Sequence, residues 1–218
     1  MYKYVIWDFN GTILDDLDLC LDLLNQMLVK QNKQPLSVSR YKEVFGFPIK
    51  DYYIEAGLSF DTESFDDMSQ FFIKHYQPAS FSCKIHSGVI DTLIALQKLG
   101  IKSIILSASQ TDNLIEQTKV LGIHDYFEYI VGTDNIKGQG KVERGNELMK
   151  QTGINPKECL YVGDTIHDAE VAKALGVKVL LYTQGHQSES RLRTVKERII
   201  YEISDIIEVV RGESHEIR

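Results

Sequence analysis

The chain has 218 residues, of which 43% are hydrophobic, enough to bury one substantial core or a moderate core with a smaller appended unit. Lysine and arginine total 24 against 31 aspartates and glutamates, so the net charge is −7 and a nucleic-acid-binding surface is not expected. Cys20, Cys83 and Cys159 are widely separated and form no CxxC or Cys/His pair, which argues against a disulfide framework or a zinc site.

The first predicted element is a short apolar strand, and no apolar stretch approaches the length of a membrane span. We therefore expect a cytoplasmic protein that binds neither membranes nor nucleic acids. Small molecules are its expected partners, and we expect it to be a monomer.

Short runs rich in valine, isoleucine, leucine and tyrosine predict buried strands at residues 4–7, 102–106, 129–131, 160–162 and 178–182. Helical periodicity lies between them, at residues 87–99, 112–121, 143–150 and 169–175. Glycines that suit a left-handed helix C-terminus follow these runs, at Gly100, Gly122, Gly153 and Gly176. Alternating strands and helices predict an α/β fold, with a parallel sheet covered on both faces.

Residues 16–84 interrupt this alternation, because only helical patterns occur there. We interpret the interval as an inserted helical domain, with residues 1–15 and 85–218 forming the α/β core domain. Its aromatic residues are expected to form its own core. An acidic group near its start is expected at the surface, where it would stabilise a helix N-terminus; its members are Asp15, Asp16, Asp18 and Asp22.

Polar side chains stand at the ends of three predicted strands. They are Asp8 and Asn10 after the first strand, Ser107 at the end of the second, and Asp164 and Asp168 after the fourth. Because the carboxyl ends of parallel strands meet at one edge of a sheet, we expect these side chains to lie together. Gly185-His186, after the last strand, is a candidate border of the same edge.

The stretch Asp8-Phe9-Asn10-Gly11-Thr12-Ile13 resembles the first motif of the haloacid dehalogenase superfamily, Asp-x-Asp-Gly-Thr followed by an apolar residue. Ser107 is similar to the second motif, a serine or threonine that closes an apolar strand. Gly163-Asp164 and Asp168 are similar to the fourth motif, Gly-Asp-x-x-x-Asp. Taken together, the first and fourth motifs are highly specific.

The third motif of the superfamily is a lysine ahead of the helix that precedes the fourth motif. Lys141 opens that helix, and Lys137 is the competing candidate, because Val142 stands where a proline usually follows the lysine. The resemblance covers nearly the whole chain outside residues 16–84. It implies a Rossmann-like core with an inserted helical cap, as in the branch that contains phosphoglycolate phosphatase and β-phosphoglucomutase.

The resemblance further implies a Mg²⁺-dependent phosphatase for a small phosphorylated metabolite, with phosphoglycolate as the expectation at family level. Asp8 would attack phosphorus and form an aspartyl phosphate. Lys141 and Ser107 would bind phosphate oxygens. The implied metal site comprises Asp8, Asn10 through its backbone carbonyl, Asp164 and Asp168. Asp168 is also a candidate for orienting Lys141 or a metal-bound water.

Asn10 departs from the superfamily pattern, where a second aspartate protonates the leaving oxygen and then deprotonates water. An amide cannot carry that proton, so we expect slow turnover of alkyl phosphates, better turnover of acyl phosphates, and a faster Asn10→Asp variant. Another group, such as His167, is an alternative acid.

Asn10 also leaves open a different function, in which the chain is a catalytically weakened domain that senses a phosphorylated ligand. A metal-free dehalogenase and a phosphonatase with an imine-forming Lys30, Lys42 or Lys50 are further alternatives.

Overall fold

The computed structural model of the chain describes residues 1–134 and 140–212. Its strands are β1 (Tyr4–Trp7), β2 (Leu14–Asp15), β3 (Lys84–Ile85), β4 (Lys102–Gln110), β5 (Phe127–Thr133), β6 (Cys159–Gly163), β7 (Lys178–Tyr182) and β8 (Arg198–Ile200). Its α-helices are α1 (Leu17–Lys30), α2 (Val38–Val44), α3 (Ile49–Glu55), α4 (Phe65–Ser80), α5 (Val89–Lys98), α6 (Thr111–Val120), α7 (Lys141–Thr152), α8 (Ile166–Leu175), α9 (Glu189–Leu192) and α10 (Asp205–Arg211).

Six strands form one parallel sheet in the order β5-β4-β1-β6-β7-β8. The first strand is central, with β4 on one side and β6 on the other. The register brings the last residue of β1, Trp7, level with Ile105 of β4 and with Val162 of β6. Loops after these three strands therefore leave the sheet at the same edge.

Side chains of β1 alternate between two apolar layers, as the two-residue period of a strand requires. Val5 and Trp7 pack with Leu93 of α5 and Ile206 of α10 on one face. On the other face, Ile6 packs in a second cluster that includes residues of α7 and α8. The predicted α/β fold, with a parallel sheet covered on both faces, is confirmed.

Helices α1 to α4 form a third apolar cluster between the first two motif-bearing strands. Leu24 and Leu28 of α1 are buried there with Tyr41 of α2, Tyr52 of α3 and Met68 of α4. The predicted helical character of this interval is therefore present, and its aromatic residues include core members. None of the described helices is long and apolar enough to cross a membrane.

The short strands β2 and β3 form a separate antiparallel pair where the chain enters and leaves the helical interval. Leu14 lies opposite Ile85, and Asp15 opposite Lys84. This pair was not predicted, because two-residue strands carry no periodic signal. It brings both ends of residues 16–84 together beside the sheet.

All five predicted strands are present, and β4 extends beyond its predicted end to Gln110. One further strand, β8, was not predicted; it has three residues and pairs only with β7 at the sheet edge. An edge strand of this length has too few residues to show a pattern of burial. The predicted left-handed glycines after helices are correct at all four positions, with φ angles of 71° at Gly100, 69° at Gly122, 70° at Gly153 and 72° at Gly176.

Candidate active site

Asp8 lies at the carboxyl end of the central strand, where its backbone N–H donates to the carbonyl of Val162 at 2.8 Å. Asp8 is 7% exposed. The Lys141 ammonium donates to Asp8 Oδ1 at 2.5 Å and to Asp168 Oδ1 at 2.7 Å. Lys141, the first residue of α7, thus contacts the loops that follow β1 and β6.

Burial raises the pKa of Asp8 to about 8; the Lys141 charge opposes this rise, and the neighbouring Asp168 and Asp164 carboxylates add to it. Burial also works against charge on Asp168 and Lys141. Their ion pair outweighs that effect, so the pKa of Asp168 is lowered and that of Lys141 is raised. The Lys141 ammonium therefore pairs with two of the three buried carboxylates, Asp8 and Asp168, and negative charge is in excess at the site.

Both Asp168 carboxylate oxygens are engaged by protein donors. Oδ1 accepts from Lys141 and from the Tyr161 hydroxyl at 3.2 Å. Oδ2 accepts from the backbone N–H of Thr165 at 3.0 Å and from its hydroxyl at 2.6 Å, which closes a capping box at the start of α8. Asp168 therefore fixes the loop after β6 and holds Lys141 in place.

Glycines allow the Asp168 and Asp164 side chains to approach the backbone of three loops. A Cβ at Gly163 would lie 2.3 Å from Asp168 Cγ. A Cβ at Gly11 or Gly185 would lie 2.4 Å or 2.2 Å from Asp164 Oδ2. A side chain at any of these positions would push the carboxylates out of the site.

Asp164 is fully buried and joins the loops after β1, β6 and β7. Its Oδ1 accepts from the Thr12 hydroxyl at 3.0 Å, and its Oδ2 accepts from the His186 backbone N–H at 2.7 Å. Burial raises its pKa to about 6, against the opposing effect of the His186 charge. Oxygen atoms of Asp8, Asp164 and Asp168 lie within 4.8 Å of one another, a spacing and a donor type suited to a hard divalent cation.

Ser107 is buried at the same edge, and its hydroxyl accepts from the Ser109 backbone N–H at 3.1 Å. It lines a cavity of about 40 Å³ together with Asp8, Lys141 and Asp164. The structure thus brings the sequence-predicted candidates Asp8, Ser107, Lys141, Asp164 and Asp168 together. The competing lysine, Lys137, lies outside the described residues.

Asn10 also lines this cavity, and its amide is fixed by three side chains. Nδ2 donates to Asp16 Oδ2 at 2.9 Å and to the Tyr76 hydroxyl at 2.5 Å, while Oδ1 accepts from Ser109 Oγ at 2.8 Å. Tyr76 in turn donates to Asp16 Oδ2 at 2.6 Å. The amide nitrogen therefore faces an anion.

Asp16 was expected at the surface with its acidic neighbours, and for this residue the prediction was wrong. Asp16 is 1% exposed, whereas Asp15, Asp18 and Asp22 are exposed as expected. Its Oδ1 accepts from the Gly11 backbone N–H at 2.9 Å and lies 3.2 Å from His186 Nε2. No local pattern around Asp16 indicates this burial, because His186, which pairs with it, lies far along the chain.

The His186 ring completes this network, with its Nδ1 2.9 Å from the Tyr41 hydroxyl of α2. Burial lowers the pKa of His186, but the Asp16 carboxylate outweighs burial and the net direction is upward. Burial likewise opposes the charge on Asp16, and His186, Tyr76 and Asn10 hold its pKa below the usual value. His167, by contrast, is 3.3 Å from Glu170 on its own helix and stacks on Phe47.

Residues 5–182 match a family model described as haloacid dehalogenase-like hydrolase. The chain belongs to this family. The matched segment contains every residue of the Asp8, Ser107, Lys141 and Asp164 group, and the resemblance inferred from the motifs is confirmed. His186, which holds Asp16, lies beyond the match.

Relatives of this haloacid dehalogenase-like hydrolase include named phosphatases. Phosphoglycolate phosphatase 1 of Pseudomonas aeruginosa is 24% identical over 84% of this chain and 70% of its own length. Phosphoglycolate phosphatase of Rhodospirillum rubrum is 26% identical, over 87% and 83%. Pyrophosphatase PpaX of Bacillus pumilus is 24% identical, over 94% and 95%.

Solved structures share the fold. A predicted phosphatase from Clostridium acetobutylicum superposes with a TM-score of 0.84 at 19% identity, covering 97% of this chain and 99% of that one. A haloacid dehalogenase-like family protein from Streptococcus pneumoniae superposes with a TM-score of 0.81 at 18% identity, covering 96% and 98%. At these identities, the similarity establishes the fold.

Proposed function

We propose that this hydrolase is a Mg²⁺-dependent phosphatase that acts on a small phosphorylated metabolite through an aspartyl phosphate on Asp8. The observation that carries the proposal is the contact between Asp8 and Lys141 beside two further buried carboxylates. A nucleophilic carboxylate, a cation for phosphate oxygens and hard ligands for a metal are the parts that phosphoryl transfer requires. Relatives named as phosphatases support the same reaction class.

In the proposed reaction, Asp8 attacks phosphorus and the leaving oxygen departs on the opposite side. Lys141 would bind a phosphate oxygen while it remains paired with Asp168, and the Ser107 hydroxyl would donate to another. Water then attacks the aspartyl phosphate, which restores the Asp8 carboxylate and releases phosphate. The aspartyl phosphate divides one displacement into two steps.

The proposed Mg²⁺ ligands are Asp8, Asp164 and the backbone carbonyl of Asn10. When bound, the cation would offset the repulsion between the Asp8 carboxylate and the phosphate. Buried carboxylates with raised pKa values fit such a cation, because each gains from a positive charge that Lys141 alone does not supply. We propose that Asp168 positions Lys141 and does not bind the metal, because the Lys141 ammonium already pairs with its carboxylate.

Asn10 supports a second candidate function, a weakened domain that binds a phosphorylated ligand without turning it over. Its amide is held by Asp16, Tyr76 and Ser109, and it has no proton to exchange with a leaving oxygen. Hydrolysis of a panel of phosphate esters with and without Mg²⁺ separates the candidates. A phosphatase releases phosphate, whereas a sensor shows ligand-dependent thermal stabilisation without turnover.

A further inference from the structure

A second cavity, of about 150 Å³, opens beside the small cavity that contains Asp8 and Lys141. The two share five lining residues, which are Asn10, Phe45, Phe47, Ala108 and His186. A phosphate bound in the small cavity, beside Asp8 and Lys141, would therefore direct its ester oxygen and leaving group toward the second cavity. Under the proposed function, this cavity is where the leaving group is recognised.

Aromatic side chains from the helical interval form most of the apolar wall of the larger cavity. They are Tyr41, Phe45, Phe47, Tyr52, Tyr53, Phe72 and Tyr76. An apolar cavity of about this volume is large enough to hold a benzene ring. Aromatic walls also bind another ring through edge-to-face and offset stacking, which adds to the burial of apolar area.

Charge distinguishes this cavity from a site for an anionic leaving group. Among the described residues that line it, the acidic and basic side chains are Asp16 and His186, which pair with each other at 3.2 Å. No lysine or arginine is found among those described lining residues. A carboxylate or a second phosphate on the leaving group would be buried near Asp16 without a lining cation that is not already paired, which is costly.

Asn10 adds an independent requirement on the leaving group. Without an acid at this position, the oxygen must depart as an anion, and this is easier for an acidic alcohol. A phenolic hydroxyl has a pKa near 10, several units below that of an alkyl alcohol, whose acidity resembles that of water at about 15.7. Both the cavity and Asn10 therefore favour the same class of alcohol.

We infer that the substrate is a phosphate monoester of an uncharged aromatic alcohol, with its ring in the larger cavity; this inference rests on the proposed function. The Asp8 oxygen forms a bond to phosphorus while the bond from phosphorus to the aryl oxygen breaks. The phenolate leaves with that electron pair and takes a proton from solvent. Water then attacks the aspartyl phosphate, giving phosphate and a free Asp8 carboxylate.

Four substrates assayed with Mg²⁺ test the inference: phenyl phosphate, cyclohexyl phosphate, phosphoglycolate and acetyl phosphate. We expect kcat/KM for phenyl phosphate to exceed that for phosphoglycolate by about 100-fold or more, since both protonation and cavity occupancy differ. Cyclohexyl phosphate fills the cavity but has an alkyl leaving group, so it should match phenyl phosphate in KM and fall below it in kcat. It should also have a lower KM than phosphoglycolate.

Acetyl phosphate separates failure of the inference from failure of the proposed function, because its leaving group needs no protonation and is too small to fill the cavity. Suppose that acetyl phosphate is hydrolysed and that kcat/KM for phosphoglycolate equals or exceeds that for phenyl phosphate. This result would overturn the inference and leave the proposed function standing. No hydrolysis of any of the four would overturn both.

Ile73 lines the larger cavity, so Ile73→Arg places a cation in its wall. Ile54→Arg is the matched control, because Ile54 is exposed on α3. We expect Ile73→Arg to lower kcat/KM for phenyl phosphate about 10-fold or more and to raise it for phosphoglycolate, with acetyl phosphate unaffected. The control should change none of these values. Equal behaviour of both variants toward phenyl phosphate, with acetyl phosphate turnover retained, would show that the ring does not occupy this cavity.

Discussion

The Asn10 amide donates a hydrogen bond to the buried Asp16 carboxylate, with Nδ2 2.9 Å from Oδ2. Asn10 is the residue that departs from the superfamily motif, and this contact changes the effect expected from an aspartate at its position. An aspartate at position 10 would place two carboxylates at hydrogen-bond distance in a buried network. The amide and the acid are therefore a matched pair, and substitutions at either position have to be considered together.

Replacing Asn10 by aspartate alone is expected to lower the free energy of unfolding by about 3 kcal/mol, because two buried carboxylates at this distance cannot both ionise without a penalty. We expect no gain in turnover from that variant. Exchanging the pair, Asn10→Asp with Asp16→Asn, should recover most of the stability and raise turnover of cyclohexyl phosphate. Chemical denaturation and phosphate release on both variants and on Asp16→Asn complete a double-mutant cycle. A stable and faster Asn10→Asp single variant would contradict this reading of the contact.

Asp8→Asn should reduce phosphate release by about 10⁴-fold or more, since it removes the nucleophile. The fold should persist, because Asp8 stands at a loop and contributes no apolar packing. Asp18→Asn, at an exposed position in the first turn of α1, is the control and should retain full turnover. Phosphate release and circular dichroism are the measurements, and a folded, active Asp8→Asn protein would exclude the aspartyl-phosphate route.

Removing divalent cations with a chelator should abolish phosphate release, and Mg²⁺ should restore it. Mg²⁺ is also expected to raise the unfolding temperature of the wild type, because it binds the folded site and not the unfolded chain. Asp164→Asn should lose most of that increase, whereas Asp91→Asn, exposed on α5, should keep it. Turnover that persists in the chelator would favour a metal-free reaction of the dehalogenase type.

Lys141→Gln should lower the free energy of unfolding by about 3–5 kcal/mol in the absence of metal, since it leaves Asp8 and Asp168 buried without their cation. It should also raise KM, because the phosphate loses a positive partner. Lys150→Gln lies at the exposed end of the same helix and should change stability by less than about 0.5 kcal/mol. Equal stability of the two variants would show that the ion pairs of Lys141 contribute nothing net.

The helical interval is expected to close over bound substrate and to open for product release. It joins the sheet through β2 and β3, and it contacts the opposite loops where Tyr41 meets His186 and where Gln187 donates to the Phe45 carbonyl at 2.8 Å. Hydrogen exchange with Mg²⁺ and vanadate should show increased protection in residues 16–82 and none in the core helix α10. Unchanged protection in residues 16–82 would remove the support for closure.

Much of the fold follows from local pattern. Buried parallel strands leave continuous apolar runs, so β1, β4, β5, β6 and β7 could be predicted with their order along the chain. The motif residues were predicted as a group for a related reason, since the ends of parallel strands converge whatever the loops between them do. In contrast, β8 and the β2–β3 pair are too short to produce a periodic signal.

Tertiary structure alone decided the surroundings of Asn10. Asp16 and His186 are 170 positions apart, and neither the sequence near Asp16 nor its acidic neighbours indicate that it is buried. Its burial depends on the loops after β1 and β7 and on helix α4, which meet around one carboxylate and supply the donors that offset the cost of desolvation. The aromatic cavity has the same origin, because its walls combine residues of α2 to α4 and of the segment between α2 and α3 with Ala108, Ser109 and His186, which are distant in sequence. Sequence thus determined the reacting groups, and tertiary packing determined what surrounds them.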